Sequence, residues 1–351
     1  MRLLALLVHR RLVSEDDARA AAKTKDPRKW LVESGIVTDE QWRHWQQTDA
    51  GERPVLSRYE LGELLGEGGS ARVYSAVDRK DGTRLCLKVM RPELSKDSAQ
   101  LGRFVREARL LMALDHPHIV RGFRVAREGD WCFFAMELLP GRCLQDELAE
   151  CGRIGEERAL SIVRDVADAL GCLHERGLVH RDVKPGNILW SAERGAVLID
   201  LGFAVEGGGG EAETTAGTVH YIAPEQARGA AGLDVRADIY SLGATLYHLV
   251  TGSLPFRGGS SEEVLAKQVR EALSGSEIRA LGLSPQVHYF IEKMMAKERE
   301  IRFQDPGQLR DEVDEYLRQL ASRREIEARA APCLGGRRAR GAPRRRRRRR
   351  R

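Results

Sequence analysis

His180-Arg181-Asp182-Val183-Lys184-Pro185-Gly186-Asn187 is the stretch whose reading decides the fold. It sets an acid, a lysine and an amide within six residues. A second acid, Asp200, follows the apolar run Val197-Leu198-Ile199 in Asp200-Leu201-Gly202. The combination suits transfer of a phosphoryl group to a hydroxyl. One carboxylate takes the hydroxyl proton, hard oxygen ligands hold Mg²⁺, and lysines spread the charge of the moving group. Taken singly, each Asp or Asn is an ordinary turn former.

Upstream, Leu85-Cys86-Leu87-Lys88 sets a lysine in an apolar strand, which is costly unless the charge is paired. Glu107, in Arg103-Phe104-Val105-Arg106-Glu107-Ala108, is its candidate partner. Further upstream, Gly66-Glu67-Gly68-Gly69-Ser70-Ala71-Arg72-Val73 lies between two strand-like runs. Glycines there let the backbone close over phosphates and aim N–H groups at them. Alone, this loop reads equally well as a flexible hairpin, and it is not a Walker loop because no Gly-Lys-Ser/Thr follows.

In this order and spacing the motifs resemble a eukaryotic-type (Hanks-type) protein kinase over about residues 59–320, in the style of the bacterial Ser/Thr kinases. Ala223-Pro224-Glu225, Asp238-Ile239-Tyr240-Ser241-Leu242-Gly243 and Arg302 agree with it. The resemblance implies that Leu65, Gly66, Gly68 and Val73 cover ATP, with Leu189 as the floor and Cys86 in place of the usual alanine. It implies that backbone groups of Glu137 and Leu139 bond the adenine edge, with Met136 as gatekeeper. Lys88 would hold the phosphates, oriented by Glu107. Asp182 would be the catalytic base and Lys184 would meet the γ-phosphate. Asn187 and Asp200 would hold Mg²⁺, or Mn²⁺ in its place, and Glu225 and Arg302 would form a buried ion pair.

Lys184, with Gly217-Thr218 ahead of Ala223-Pro224-Glu225, points within the resemblance to protein Ser/Thr acceptors. Arg181 before Asp182 implies control by activation-loop phosphorylation, with Thr214 and Thr215 as candidate autophosphorylation sites. The cation often found five positions after Asp200 is Val205 here, and Glu206, Glu211 and Glu213 lie in the loop. An acidic side chain is therefore expected to replace the phosphate in part. The alternative expectation is a pseudokinase scaffold that binds nucleotide without turnover. It is disfavoured because all the key polar residues are present.

Hydrophobic patterning gives the expected architecture. Tyr59–Leu65, Ala71–Asp78, Arg84–Met90, Val120–Arg127 and Trp131–Leu138 read as strands, and Leu101–Leu114 as a helix. Residues 140–320 are mostly helical, with short strands near Ile188-Leu189 and Val197–Ile199. The fold class is α+β, a two-lobe kinase-like fold with a small β-rich N-lobe (59–137) and a larger helical C-lobe (138–320). Residues 1–52 read as a helical module, either a packing extension or a partner-binding unit. Ser14 would cap a helix to about Lys23, Asp26-Pro27 would break the chain, and Gly35 would end a helix over Arg28–Ser34. Thr38 and Gln41 form a capping box ahead of Trp42 and Trp45. Residues 53–58 read as a linker.

Composition bounds the rest. The chain has 351 residues, 42% apolar and 31% charged, which fits a globular body. No apolar run reaches the roughly 18 residues of a spanning helix, and Leu3–Val8 is too short for a signal peptide. Six cysteines without paired spacing suggest neither zinc nor disulfides, so the cytoplasm is the expected location. Residues 323–351 hold 14 Arg and two Glu, a charge of +12, so the other 322 residues carry −6 of the chain's +6. Residues 321–351 are expected to be a disordered tail. Its arginines would contact nucleic acid or anionic membrane in a salt-dependent way. The stronger reading is low complexity, because the chain has 48 Arg against 10 Lys and an acidic body.

Overall fold

The computed structural model describes residues 2–9, 12–24, 26–39, 41–43, 45, 53–206, 218–273 and 282–330. Thr214 and Thr215, and the arginine run 344–351, lie outside them.

Five antiparallel strands build the smaller lobe: β1 (Tyr59–Glu67), β2 (Ala71–Asp78), β3 (Arg84–Met90), β4 (Gly122–Glu128) and β5 (Trp131–Glu137), in the order β1-β2-β3-β5-β4. Side chains of a strand alternate between faces. Cys86 and Met90 of β3 and Phe134 and Met136 of β5 therefore join one core with Phe104, Ala108 and Leu111 of the helix Ser98–Ala113. Leu85, Leu87 and Val89 join Tyr74, Ala76, Phe133 and Ala135 in a second apolar layer on the opposite face.

The larger lobe is helical. The helix Val235–Thr251 is buried on nearly every side, as its mostly apolar sequence requires. Asp234 caps it by accepting the Arg236 N–H at 2.9 Å, and Gly252 ends it in the left-handed region at φ 69°. Two short sheets, Arg142–Cys143 with Ile188–Ser191 and Gly195–Leu198, and Leu178–Val179 with Val205–Glu206, carry the loops that face the smaller lobe. Among the described residues, no helix is long and apolar enough to cross a membrane.

One expectation is corrected and two are given detail. The last helix runs from Pro306 to Ala330, past the expected end of the domain at 320. Arg and Glu are good helix formers, and Arg324 Nη1 reaches Glu157 Oε2 at 2.5 Å. Asp26-Pro27 starts a helix as well as breaking one. Asp26 caps Pro27–Glu33 by accepting the Lys29 N–H, and Pro27 takes the first position, where its missing N–H is harmless. Residues 53–58, the expected linker, are packed, with Arg53, Val55 and Leu56 buried.

The N-terminal helices Arg2–His9, Glu15–Ala22 and Pro27–Glu33 have their own core of Leu3, Leu4, Leu7, Leu31, Trp42 and Trp45. Thr38 and Gln41 exchange hydrogen bonds of 2.8 and 3.1 Å, the reciprocal arrangement of a capping box.

Candidate active site

β3 delivers Lys88 to the inner face, where its Nζ stands 2.6 Å from Glu107 Oε1 and 3.1 Å from Asp200 Oδ2. The helix Ser98–Ala113 presents Glu107, and the turn after Gly195–Leu198 presents Asp200. One ammonium thus serves two carboxylates in a largely dry site. Burial works against the charge on Lys88, but Asp200 and Glu107 outweigh it and hold the lysine above its usual range. Burial likewise opposes ionisation of Asp200, yet Lys88 and the Gly202 N–H, 2.7 Å from Oδ1, hold it below the usual carboxylate range. Glu107 bears the cost of the surplus negative charge: burial and Asp200 push it up to about 7, which favours its neutral form.

The loop 180–187 is held from beneath. Asp238, fully buried in the helix Val235–Thr251, accepts the His180 N–H at 2.8 Å and the Arg181 N–H at 2.7 Å. Gln226 Nε2 donates to the Arg181 carbonyl at 3.1 Å. Arg181 sits at φ 68°, the single non-glycine residue with positive φ among the described residues. That backbone strain persists because the acid and the amide over-determine the turn. Asp182, buried, emerges from it with Lys184 Nζ at 2.7 and 3.0 Å from its two oxygens. Asn187 Nδ2 donates to the Asp182 carbonyl at 2.8 Å and to its Oδ2 at 2.9 Å. Asp238 was read in the sequence only as part of a landmark. An acid at the start of a long apolar helix was the signal for its role, since such a carboxylate must find buried donors.

A clamp fixes the glycine loop. Glu67 accepts from Arg72 at 2.9 Å and from Arg91 at 2.7 Å, and Arg91 also donates to the Gly68 carbonyl. Leu65 lies half exposed on β1, and Val73 is partly buried on the inner face. Cys86 is buried beside them, its thiol pushed up to about 11 by burial. Glu137 ends β5, with its N–H bonded to the Arg121 carbonyl at 2.9 Å, and Leu139 follows in the irregular segment that joins the lobes. Leu189 pairs with Cys143 across the small sheet, and Cys143 Sγ lies 3.4 Å from the Pro185 carbonyl. Burial pushes the Cys143 thiol up, as befits an inert group. Leu201, 1% exposed, packs into the core directly after Asp200.

Below the site, Arg302 and Glu225 form a bidentate pair at 2.7 and 2.9 Å. The remaining guanidinium N–H groups reach the carbonyls of Ala296, Arg236 and Lys297. A buried charge is tolerated when every donor is used in this way.

The donor set suits a hard cation. Asp200 is held ionised, and Asn187 uses its Nδ2 on Asp182, so its amide oxygen is of the hard type such a cation prefers.

Comparison with known proteins agrees with this geometry. Residues 59–312 match the family model described as protein kinase domain. The chain is 37% identical over 268 residues to Serine/threonine-protein kinase PknB of Mycobacterium tuberculosis, covering 74% of this chain and 43% of that protein. Against PknB of Mycobacterium leprae it is 37% identical over 269 residues, with the same coverage. Against Probable serine/threonine-protein kinase PknB of Bifidobacterium longum it is 32% identical over 274 residues, covering 74% of this chain and 40% of that protein. The match spans less than half the length of these curated relatives. With the two-lobe fold, the Lys88–Glu107 pair and a family match across 59–312, the chain belongs to the protein kinase family.

Proposed function

We propose that this chain is an ATP-dependent protein kinase that transfers the γ-phosphoryl group to Ser or Thr hydroxyls of proteins, in the cytoplasm. The observation that carries the reading is the single lysine, Lys88, bridging Glu107 and Asp200 opposite a buried Asp182. The complete polar set leaves no observation in favour of a non-catalytic scaffold.

Asp182 orients the acceptor hydroxyl and takes its proton as the new P–O bond forms and the bond to ADP breaks. Lys184, which pairs with Asp182, would meet the transferred group. Lys88 holds the α- and β-phosphates, and Glu107 fixes the lysine's direction. Asn187 and Asp200 would hold Mg²⁺ or Mn²⁺, which when bound neutralises phosphate charge. Leu65, Gly66, Gly68, Val73, Cys86 and Leu189 enclose the nucleotide, with Glu137 and Leu139 on the adenine edge. Thr214 or Thr215 is the proposed autophosphorylation site, with an acidic loop residue replacing the phosphate in part.

The test is phosphate incorporation from labelled ATP with Mg²⁺ into casein and into the chain itself, beside Asp182→Asn and Asp200→Asn. Ser/Thr labelling that both variants abolish is the expected result. Nucleotide binding without labelling overturns the reading. A Thr214→Ala, Thr215→Ala variant that loses nearly all activity removes the idea of acidic replacement.

A further inference from the structure

β1 carries two successive bulges on its way to the glycine loop. Its register with β2 slips between Leu61 and Leu64, and again between Leu64 and Gly66. Gly62 and Glu63 therefore face the single residue Ser75, and a bulge of this kind leaves backbone groups outside the ladder. Side chains take them up. Ser75 Oγ accepts the Glu63 N–H at 2.8 Å, and Arg53 Nη2 donates to the Gly62 carbonyl. Arg53 is 6% exposed, and its guanidinium carbon lies 5.0 Å from the centroid of the Tyr74 ring on β2. A buried guanidinium that serves a bulge carbonyl and stacks on the neighbouring strand fixes both strands at once.

Arg53 precedes the family match, which begins at residue 59. It belongs to a two-sided strap. Val55 turns into the core of the helical module with Leu31, Trp42 and Trp45, whereas Leu56 turns into the outer sheet layer with Leu61, Tyr74 and Leu87. Gln41 of the module hydrogen-bonds Glu60 of β1. The tip of the glycine loop has its own clamp in Glu67, Arg72 and Arg91, so the strap acts on the root of the loop and not on its tip.

We infer that Arg53 is a positioning residue for the phosphate-binding loop: by capping the bulge at Gly62 it sets the direction in which β1 presents Gly66 and Gly68, and it thereby couples nucleotide affinity to the N-terminal helical module. The inference rests on the kinase reading above. Arg53 touches neither nucleotide nor reacting atoms, so its effect belongs in the binding of ATP and not in the chemical step.

The test uses the full chain as wild type, Arg53→Ala, Arg53→Lys and Asp182→Asn. KM for ATP and kcat are measured with casein, Kd with a fluorescent N-methylanthraniloyl ATP, and folded fraction by thermal melting. Arg53→Ala is expected to raise KM and Kd about fivefold or more, with kcat per folded molecule within about twofold. Arg53→Lys, which keeps a donor but not the stacked plane, falls between. A folded Arg53→Ala with unchanged KM and Kd overturns the inference, as does a loss of kcat alone that tracks the loss of folded protein. If Arg53→Ala does not fold, an unchanged KM and Kd in Arg53→Lys overturns it. Turnover that Asp182→Asn abolishes sustains the kinase reading whatever Arg53 does. A wild type that binds the analogue without turnover removes that reading and leaves Arg53 to be judged by Kd. One that does neither overturns both.

Discussion

Lys88 and Asp200, 112 residues apart in sequence, meet at 3.1 Å across the cleft between the lobes. The contact ties the β3 strand to the turn that would carry the metal, and the Glu107 pair ties the same lysine to the helix Ser98–Ala113. A single side chain thereby reports whether three elements are in place.

Replacing that side chain by Lys88→Met is expected to cut phosphate transfer about 10²–10³-fold, the scale of losing one aimed charge in a dry site. The variant should stay folded, because Met fits the apolar strand and Glu107, already pushed up to about 7, can take a proton once the ammonium is gone. Steady-state labelling beside far-UV circular dichroism checks both halves. Near-normal turnover by the variant would contradict the role given to Lys88.

Acid should weaken the site before it unfolds the protein. Glu107 is pushed up to about 7 by burial and by Asp200. Its ionised form is the one that holds Lys88, so the hold is present above about pH 7 and is lost as pH falls through that value. Activity is expected to decline on that acid limb, and Glu107→Gln, slower throughout, should lack it. pH–rate profiles between about pH 5.5 and 8.5 decide the matter. A wild type that is flat across the window would rule the assignment out.

Asp238 is expected to matter for rate more than for affinity. Asp238→Asn keeps one acceptor oxygen where two backbone N–H groups, of His180 and Arg181, now bond. An unmet buried donor costs about 1–3 kcal/mol, and the strained turn at Arg181 should relax and shift Asp182. The expected result is kcat down about 10–100-fold with KM for ATP changed little. Equal losses in kcat and in ATP affinity would point to general unfolding instead.

Arg302 should resist even a conservative change. All five of its N–H groups are engaged, two with Glu225 and three with carbonyls. Lysine offers three donors and no plane. Arg302→Ala, which leaves Glu225 buried and unpaired, is expected to cost about 3–5 kcal/mol, and Arg302→Lys a large part of that. Urea midpoints measure it. A midpoint for Arg302→Lys equal to wild type would show that the charge alone suffices.

Several elements could be read directly from the sequence because their cause is local. β2 and β3 have the bounds that hydrophobic patterning gave, Ala71–Asp78 and Arg84–Met90, since both runs are rich in apolar residues and Asp81-Gly82 turns the chain between them. The helix expected from Leu101 starts instead at Ser98, because Asp97 accepts the N–H groups of Ala99 and Gln100, a cap that the apolar spacing did not weigh. The last helix continues to Ala330, past residue 321 where composition suggested disorder, because Arg and Glu are good helix formers and Arg324 pairs with Glu157.

By itself the sequence determined the family, and with it the chemistry proposed here. The residue types around Asp182, their order, and Lys88, Glu107 and Asp200 at their spacings need no coordinates to be read. The tertiary structure alone decided which groups share a charge and which segment holds which. That Glu107 bears the cost of the surplus charge in the Lys88 cluster, that Asp238 caps the turn at Arg181, and that Arg53 serves the bulge at Gly62 all depend on burial and on distances between residues far apart in the chain. Burial turns a weak surface interaction into a decisive one by removing competing water, and no linear pattern records which groups lose that water together.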